Sequence, residues 1–441
     1  MQTRFDAIVI GAGPAGSTAA IVLARAGWSV ALLEKRRFPR RKVCGECVAA
    51  SNLPILDALG VGPAFATAAG PELRRVAFAR GDEQVLADLP PAALEGQRWG
   101  RALGRESLDT LLRDQAAAAG ATILQPCAVQ ATRGGPGDWQ VEARDLESGL
   151  LLALRAPVAI AANGSWEALP GAAHKPRARH RAGDLLAFKA QFRGAAQPEG
   201  LLSVLALDGG YGGMVLADQG VTIVACCIRR DRLEACRRAR PAARAGEAVQ
   251  DWLERGCQAV RQTLATAHRQ GPWLAAGPLD PGIRLRADDA MFRIGNAAGE
   301  AHPLIGEGMS MALQSAWLLG ALLLRGAGPA PLPGDDPASA AWQREVAVRY
   351  AAAWRHHFSA RLRLAAGFAH ACMRPASSAP LIGATRLWPG LLTRAANWSG
   401  KTRDIVRAGG PVMPPRAGPP ARTPAARPCI GQSTGFTKEQ P

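Results

Sequence analysis

Aromatic side chains make up only 5% of the 441 residues. The scarcity matters because the chain is also basic, with 53 Lys and Arg against 36 Asp and Glu and a net charge of +17. Proteins that bind nucleic acid join such charge to stacking aromatics or a recognisable motif. Neither accompanies the clusters at 36–42, 175–181 and 229–244, so no sequence-specific nucleic-acid partner is expected. The charge is read as solvated loops, attraction to an anionic cofactor, or peripheral contact with a membrane surface. Long apolar runs are lacking too. The stretch Ala316–Leu324 is nine residues long, far short of the roughly 20 that a spanning helix needs. The cysteines, nine in all and scattered, form no extracellular framework. The apolar stretch Ala7–Ile10 runs straight into glycines and is too short for a signal-peptide core. A cytoplasmic protein with free thiols is expected.

What the chain does have is 48% hydrophobic residues with 49 Gly and 33 Pro, the balance of an α/β protein rich in tight turns. Phe5–Ile10 predicts a buried strand, Ser17–Gly27 a helix ending at glycine, and Trp28–Glu34 a second strand, together a βαβ unit. Helices are predicted over 108–119 and about 248–267, and strands over 121–132 and 156–165, the last running into a Gly-containing turn. Between Leu185 and Ile228 short apolar runs alternate with Gly-rich turns, the pattern of antiparallel sheet. The stretch 291–309 then returns to strand, glycine turn and helix. The first domain is therefore discontinuous. The expected division is 1–75, 101–165 and 286–330 for a Rossmann-like dinucleotide domain, 76–100 and 166–285 for an inserted antiparallel-sheet substrate domain, 339–407 for a C-terminal helical region, and 408–441 for a disordered, basic, Pro-rich tail. Trp342, Val346, Tyr350, Trp354 and Phe358 repeat at i,i+4 and predict a helical face packed on the body.

Gly11, Gly13 and Gly16, with Pro14 and Ala15 between them, join the first strand to the first helix. The first glycine permits the turn, the second lets a diphosphate approach the backbone, and the third allows close helix–strand packing. Glu34, at the end of the second strand and followed by Lys35, is placed to accept hydrogen bonds from a ribose diol. Cys44-Gly45-Glu46-Cys47 has the spacing of a half zinc site or a redox dithiol, but no second cysteine pair completes a zinc site. A thioredoxin-like dithiol would open a helix in a much smaller unit.

From these motifs the chain resembles the two-dinucleotide-binding-domain flavoproteins, in the branch that holds geranylgeranyl reductases and aromatic hydroxylases. The likeness runs from about Phe5 to Leu324 and is anchored at four places: the glycine turn, Lys42-Val-Cys44-Gly45, Gly104-Arg105-Glu106, and Gly295-Asn296 with Gly306-Glu307-Gly308. It implies FAD as cofactor, with NAD(P)H as a transient reductant, since only one Gly-x-Gly-x-x-Gly is present. It implies flavin contacts from Cys44, Gly45, Arg105, Val129, Gly164, Gly295, Asn296, Gly306, Glu307, Gly308 and Met309, and leaves Cys47 as packing. Asn296 and Asn163 stand where the family carries Asp.

Two readings of the chemistry stay open on the resemblance: hydride transfer to or from carbon, slightly favoured, and hydroxylation with oxygen. An apolar substrate is expected, isoprenoid or polyketide- or lipid-derived. Tyr211-Gly-Gly-Met-Val-Leu lies where reductases carry Tyr-x-Trp-x-Phe-Pro, and the Trp-x-Trp-x-Ile-Pro of halogenases is missing. His302 is the candidate proton mover, Tyr211 the candidate for orienting substrate, and Cys44 the third candidate catalytic residue. The non-enzyme alternative is a lipid-binding escort protein on the same fold.

Overall fold

The computed structural model describes residues 2–92, 98–165, 167, 169–170, 180–325 and 339–399. The tail from 408 lies outside them. Ala7–Ile10 is buried at all four positions, as a strand covered on both faces requires. It pairs in parallel with Val158–Ala161 on one side and Val30–Leu33 on the other. Phe292–Arg293 and Thr122–Leu124 complete a five-stranded parallel sheet. Helix Pro14–Arg25 lies between helices Arg105–Ala118 and Glu307–Arg325. Gly320 makes the second contact close, for a Cβ there would come 2.7 Å from Val22 Cγ1. Among the described residues, one helix is long and apolar enough to span a membrane, at Glu307–Leu324. With 78% of that stretch buried, it is a core helix, longer than its apolar run implied.

The second sheet has eight strands. Their order begins His268–Arg269, Leu185–Arg193, Thr222–Arg229, Gly210–Leu216 and continues Leu201–Leu207, Arg75–Arg80, Glu83–Asp88; Leu274–Ala276 also pairs with Leu185–Arg193. All neighbours are antiparallel except Leu201–Leu207 and Arg75–Arg80, which run parallel. One face carries Phe188, Met214 and Cys226 against helices Ala245–Gly256 and Gln258–Leu264. These two replace the single helix predicted there, because Cys257 takes an extended conformation at φ −152°, ψ 118°. The other face carries Phe78, Tyr211 and Cys227 against the end of helix Ala340–Cys372 and against helices Pro375–Leu387 and Gly390–Trp398.

A four-stranded sheet of Gln2–Arg4, Leu151–Ala156, Asp138–Asp145 and Cys127–Gly135 flanks the parallel sheet. It divides the segment predicted as one strand over 121–132, since Thr122–Leu124 belongs to the parallel sheet and Cys127–Gly135 to this one. Helix Ala340–Cys372 starts at Ser339, whose Oγ accepts the Trp342 N–H at 3.4 Å. Trp342, Val346, Tyr350, Trp354 and Phe358 are all buried, so the i,i+4 face packs on the body.

Candidate functional site

The glycine turn admits no side chain where it bends. A Cβ on Gly11, at φ +107°, would lie 2.5 Å from the Ala162 carbonyl oxygen, and one on Gly16 would lie 1.8 Å from that of Gly11. At Gly13 the nearest outside atom is Arg105 Nη2, at 3.7 Å, so the backbone there faces open space beside a cation. Pro14 opens the helix and no side chain caps it, which leaves N–H groups for an anion. Glu34 is held ready: its Oε2 accepts the Ala12 N–H at 3.0 Å and its Oε1 that of Arg36 at 2.9 Å.

Around this turn stand three cations. Arg105 forks onto Asp109 at 2.6 and 2.7 Å; burial opposes its charge, but Asp109 and Cys44 raise its pKa all the same. Arg40 lies 3.6 Å from Glu34 and 3.5 Å from Asp109, and its Nε is buried without an acceptor. Lys42 lines the same cavity, and a Cβ on Gly164 would meet its Nζ at 3.4 Å. Three cations against two carboxylates beside a helix start suit a diphosphate.

The sequence names Arg105 as a flavin contact, carries Lys42 only as part of its Lys-x-Cys-Gly motif, and shows Arg40 only as one member of the basic run after Glu34. Burial, then Arg105 and Arg40, pull Lys42 down to about 8. A bound dianion would raise it again, so cofactor binding should take up a proton near pH 8 and weaken as pH rises through 8 toward 9. Calorimetry in buffers of different ionisation enthalpy reads the uptake, and Lys42→Met should remove it. Equal uptake in both proteins would refute the assignment.

Cys44, Gly45, Glu46 and Cys47 all line the cavity, and Cys47 also packs against the cluster of Leu73, Ala102 and Val215. Neither thiol is in a disulfide, and among the described residues no group of side chains could hold a metal ion. Cys44 Sγ accepts the Glu46 N–H at 3.3 Å. Glu46 is a residue that sequence reading passed over. Its backbone takes φ +59°, unusual for a residue with a side chain, and its carboxylate is buried. That carboxylate accepts the Arg105 N–H at 2.9 Å and pairs with buried Lys189 from the second sheet.

Gly295, Asn296, Gly306, Gly308 and Met309 line the far side of the cavity, as do Pro14, Ala15 and Gly164. Gly295, at φ +58°, donates its N–H to Ser315 Oγ at 2.8 Å. Asn296 Nδ2 donates to Ser165 Oγ at 2.9 Å. Glu307 opens helix Glu307–Arg325 between Gly306 and Gly308, as expected. Its side chain turns inward to Arg361, which also donates to Gln314 Oε1 at 2.8 Å, so only its backbone remains at the helix start. Lys35 is exposed and Val129 sits partly buried on strand Cys127–Gly135; neither lines the cavity. Trp166 and Ala168, beside the Asn163-Gly164 turn, lie outside the described residues.

Tyr211 and His302, named separately from the sequence, are brought together: the hydroxyl lies 3.1 Å from His302 Nδ1. Tyr211 lines the cavity, whereas His302 stands behind it. Burial, then His370, pull His302 down to about 4, so the ring is neutral at pH 7. The His370 ring lies edge-on to it with centroids 5.4 Å apart, and His370 is exposed to solvent.

A family model described as FAD binding domain matches residues 4–330. Over 61 residues the chain is 46% identical to the menaquinone reductase of Mycolicibacterium smegmatis, 14% of this chain and 15% of that one. The curated relatives are matched over 10–29% of their own length. Among solved structures, the myxobacterial chondrochloren halogenase superposes with a TM-score of 0.70 at 20% identity, over 90% of this chain and 91% of that one. A geranylgeranyl bacteriochlorophyll reductase-like protein of Thermoplasma acidophilum gives 0.62 at 15% identity, over 90% and 100%. The glycine turn, the oriented Glu34 and the surplus of cations fit that family's cofactor, and the chain belongs to the FAD-binding-domain family, with FAD as its cofactor.

Proposed function

We propose that this flavoenzyme moves a hydride between FAD and a carbon atom of an apolar substrate, with NAD(P)H as transient reductant and an isoprenoid-bearing lipid as the substrate class. The observation that carries the reading is Tyr211, backed by His302, in a cavity wall that also holds Leu202, Met214 and Ile223. Bound FAD would supply the site that exchanges hydride. Tyr211 would hold the accompanying proton, because burial, then Cys227, push its pKa well above 10 and keep it a phenol at neutral pH. His302, neutral behind it, can reprotonate the phenolate from Nδ1 provided its Nε2 takes up a proton from the solvent side in the same step. The apolar neighbours keep water from competing for it.

Relatives named menaquinone reductase and digeranylgeranylglycerophospholipid reductase support an isoprenoid substrate. Halogenation is disfavoured, since the Trp-x-Trp-x-Ile-Pro stretch is absent from the sequence.

The test is spectroscopic. The purified protein should be yellow, bleach with NADPH under anaerobic conditions, and recover colour on adding menaquinone, leaving a product two mass units heavier in its side chain. Tyr211→Phe should slow that turnover by about 10²–10⁴-fold with FAD content unchanged. Recovery only with oxygen, with a hydroxylated product, would replace this reading by the monooxygenase one. A colourless protein that FAD cannot reconstitute would favour lipid binding without catalysis.

A further inference from the structure

The helical corner Pro375–Trp398 has two faces of opposite character. Its inner face, with Ile382 and Leu392, is buried against the eight-stranded sheet beside Phe78 and Val85. Thr393 Oγ fixes it to that sheet by donating to the Asp88 carbonyl at 2.7 Å. The outer face carries Leu387, Trp388, Leu391 and Trp398, with 73, 67, 37 and 69% of their surface exposed. Leu391 and Trp398 are seven residues apart and share one stripe of helix Gly390–Trp398, with exposed Arg394 between them. Large exposed side chains on a folded surface usually occur singly; here four fall within twelve consecutive residues.

Along this part of the chain the charge is one-sided, although exposed Glu83 of the neighbouring strand lies 3.5 Å from Arg386. From Val346 to Arg403 the sequence holds nine Arg and Lys and no Asp or Glu. Residues 401–441 add seven basic side chains against two acidic ones, Lys401 and Arg403 being shared between the two counts. Tryptophan and leucine on a helix lying along the surface, flanked by arginine and with no carboxylate in their own segment, match the boundary of an anionic bilayer: apolar groups enter the acyl edge while cations such as Arg394 meet phosphates. The chain beyond Ser399 is rich in Pro, Gly and Arg and offers little apolar surface of its own to cover the patch.

We propose that the corner Arg386–Trp398 docks the enzyme on anionic lipid membranes. The helices that carry it pack on the sheet face that presents Tyr211. An enzyme so docked would meet a membrane-dissolved substrate without waiting for it to enter water. Docking stands independently of the catalytic reading, because its test needs no turnover.

The full-length FAD-loaded protein is floated with vesicles of phosphatidylcholine alone or with 30% phosphatidylglycerol. Binding to the anionic vesicles should exceed that to neutral ones at least tenfold and fall as salt rises. Trp388→Ser with Trp398→Ser should lower the partition coefficient about tenfold or more, with visible spectrum and Tm unchanged, since both side chains are exposed. Three outcomes would overturn the proposal. One is no binding to anionic vesicles. Another is binding that the double variant leaves intact, which would assign attraction to charge alone. The third is a concentration-dependent dimer, dissolved by the double variant, which would give the patch to a second copy of the chain.

Discussion

Replacing Gly16 by valine should yield a protein that folds but is purified without flavin. Even the first carbon of the new side chain would have to lie 1.8 Å from the Gly11 carbonyl oxygen. That oxygen belongs to the backbone of the turn, so nothing rotates out of the way. The turn must open, and opening it moves Gly11 off the Ala162 carbonyl and the helix start off the anion it receives. Overpacking of this kind costs about 1–3 kcal/mol or more, and each 1.4 kcal/mol taken from binding is about tenfold in Kd. A loss of FAD affinity of about a hundredfold or greater is therefore expected, with far-ultraviolet circular dichroism close to the parent's. Fluorescence titration of the stripped proteins with FAD measures it. Retention of parent-like affinity would show that the turn is structural and that the cofactor is held elsewhere. Gly367, exposed on helix Ala340–Cys372, where a Cβ would meet nothing within 4 Å, supplies the control: Gly367→Ala should leave the turn, the fold and the FAD affinity intact.

The second large effect concerns Lys189. Glu46 and Lys189 are both buried, each with 1% of its side chain exposed. Burial pushes the Glu46 carboxyl upward, while Lys189 and the Arg105 N–H pull the other way. Lys189→Met removes the charged partner, leaving the carboxyl with the Arg105 N–H. Breaking a buried pair from one side typically costs 3–5 kcal/mol, so the variant should unfold at a clearly lower temperature and denaturant concentration than the parent. Glu46 also lies in the loop of Cys44 and Gly45, so flavin should be released early in that transition. The double variant Glu46→Gln with Lys189→Met should recover most of the loss, because neither charge is then stranded. If the single variant melts within a degree or two of the parent, the pair contributes nothing across the two sheets.

The parts of the site legible in the sequence are those whose chemistry is local. Gly11, Gly13, Gly16 and Glu34 announce themselves because one turn and its two strands span about thirty residues. Gly295 and Gly306 were legible because the same grammar recurs, and the helix from Ser339 because its buried face repeats every fourth residue. What stayed hidden was pairing across distance. His302 and Tyr211 were each marked, yet their contact joins positions 91 apart, and no pattern along the chain encodes it. Glu46 and Lys189 are separated by 143 residues, and a lysine inside a strand reads as surface until the strand is placed in its sheet. The pairing of the Glu307 side chain stayed hidden for the same reason, since Arg361 lies 54 residues on. The alternation of buried Trp139, Val141 and Ala143 was available in the sequence and marks the strand Asp138–Asp145 that was overlooked.

The parallel seam between Arg75–Arg80 and Leu201–Leu207 bears on how the chain is born. Leu201 is registered with Arg75 from a stretch 126 residues earlier, so the first hairpin of the second sheet leaves the ribosome with an open edge and no partner. The parallel sheet is also incomplete until Phe292–Arg293 arrives, and its covering helix ends only at Arg325. At roughly 5–20 residues per second, the hairpin would wait several seconds or more for its neighbour. Few early contacts can compensate the loop closure that such a topology demands. The nascent protein should therefore engage chaperones before it can receive flavin, and the yellow colour should mark the end of synthesis rather than its first half.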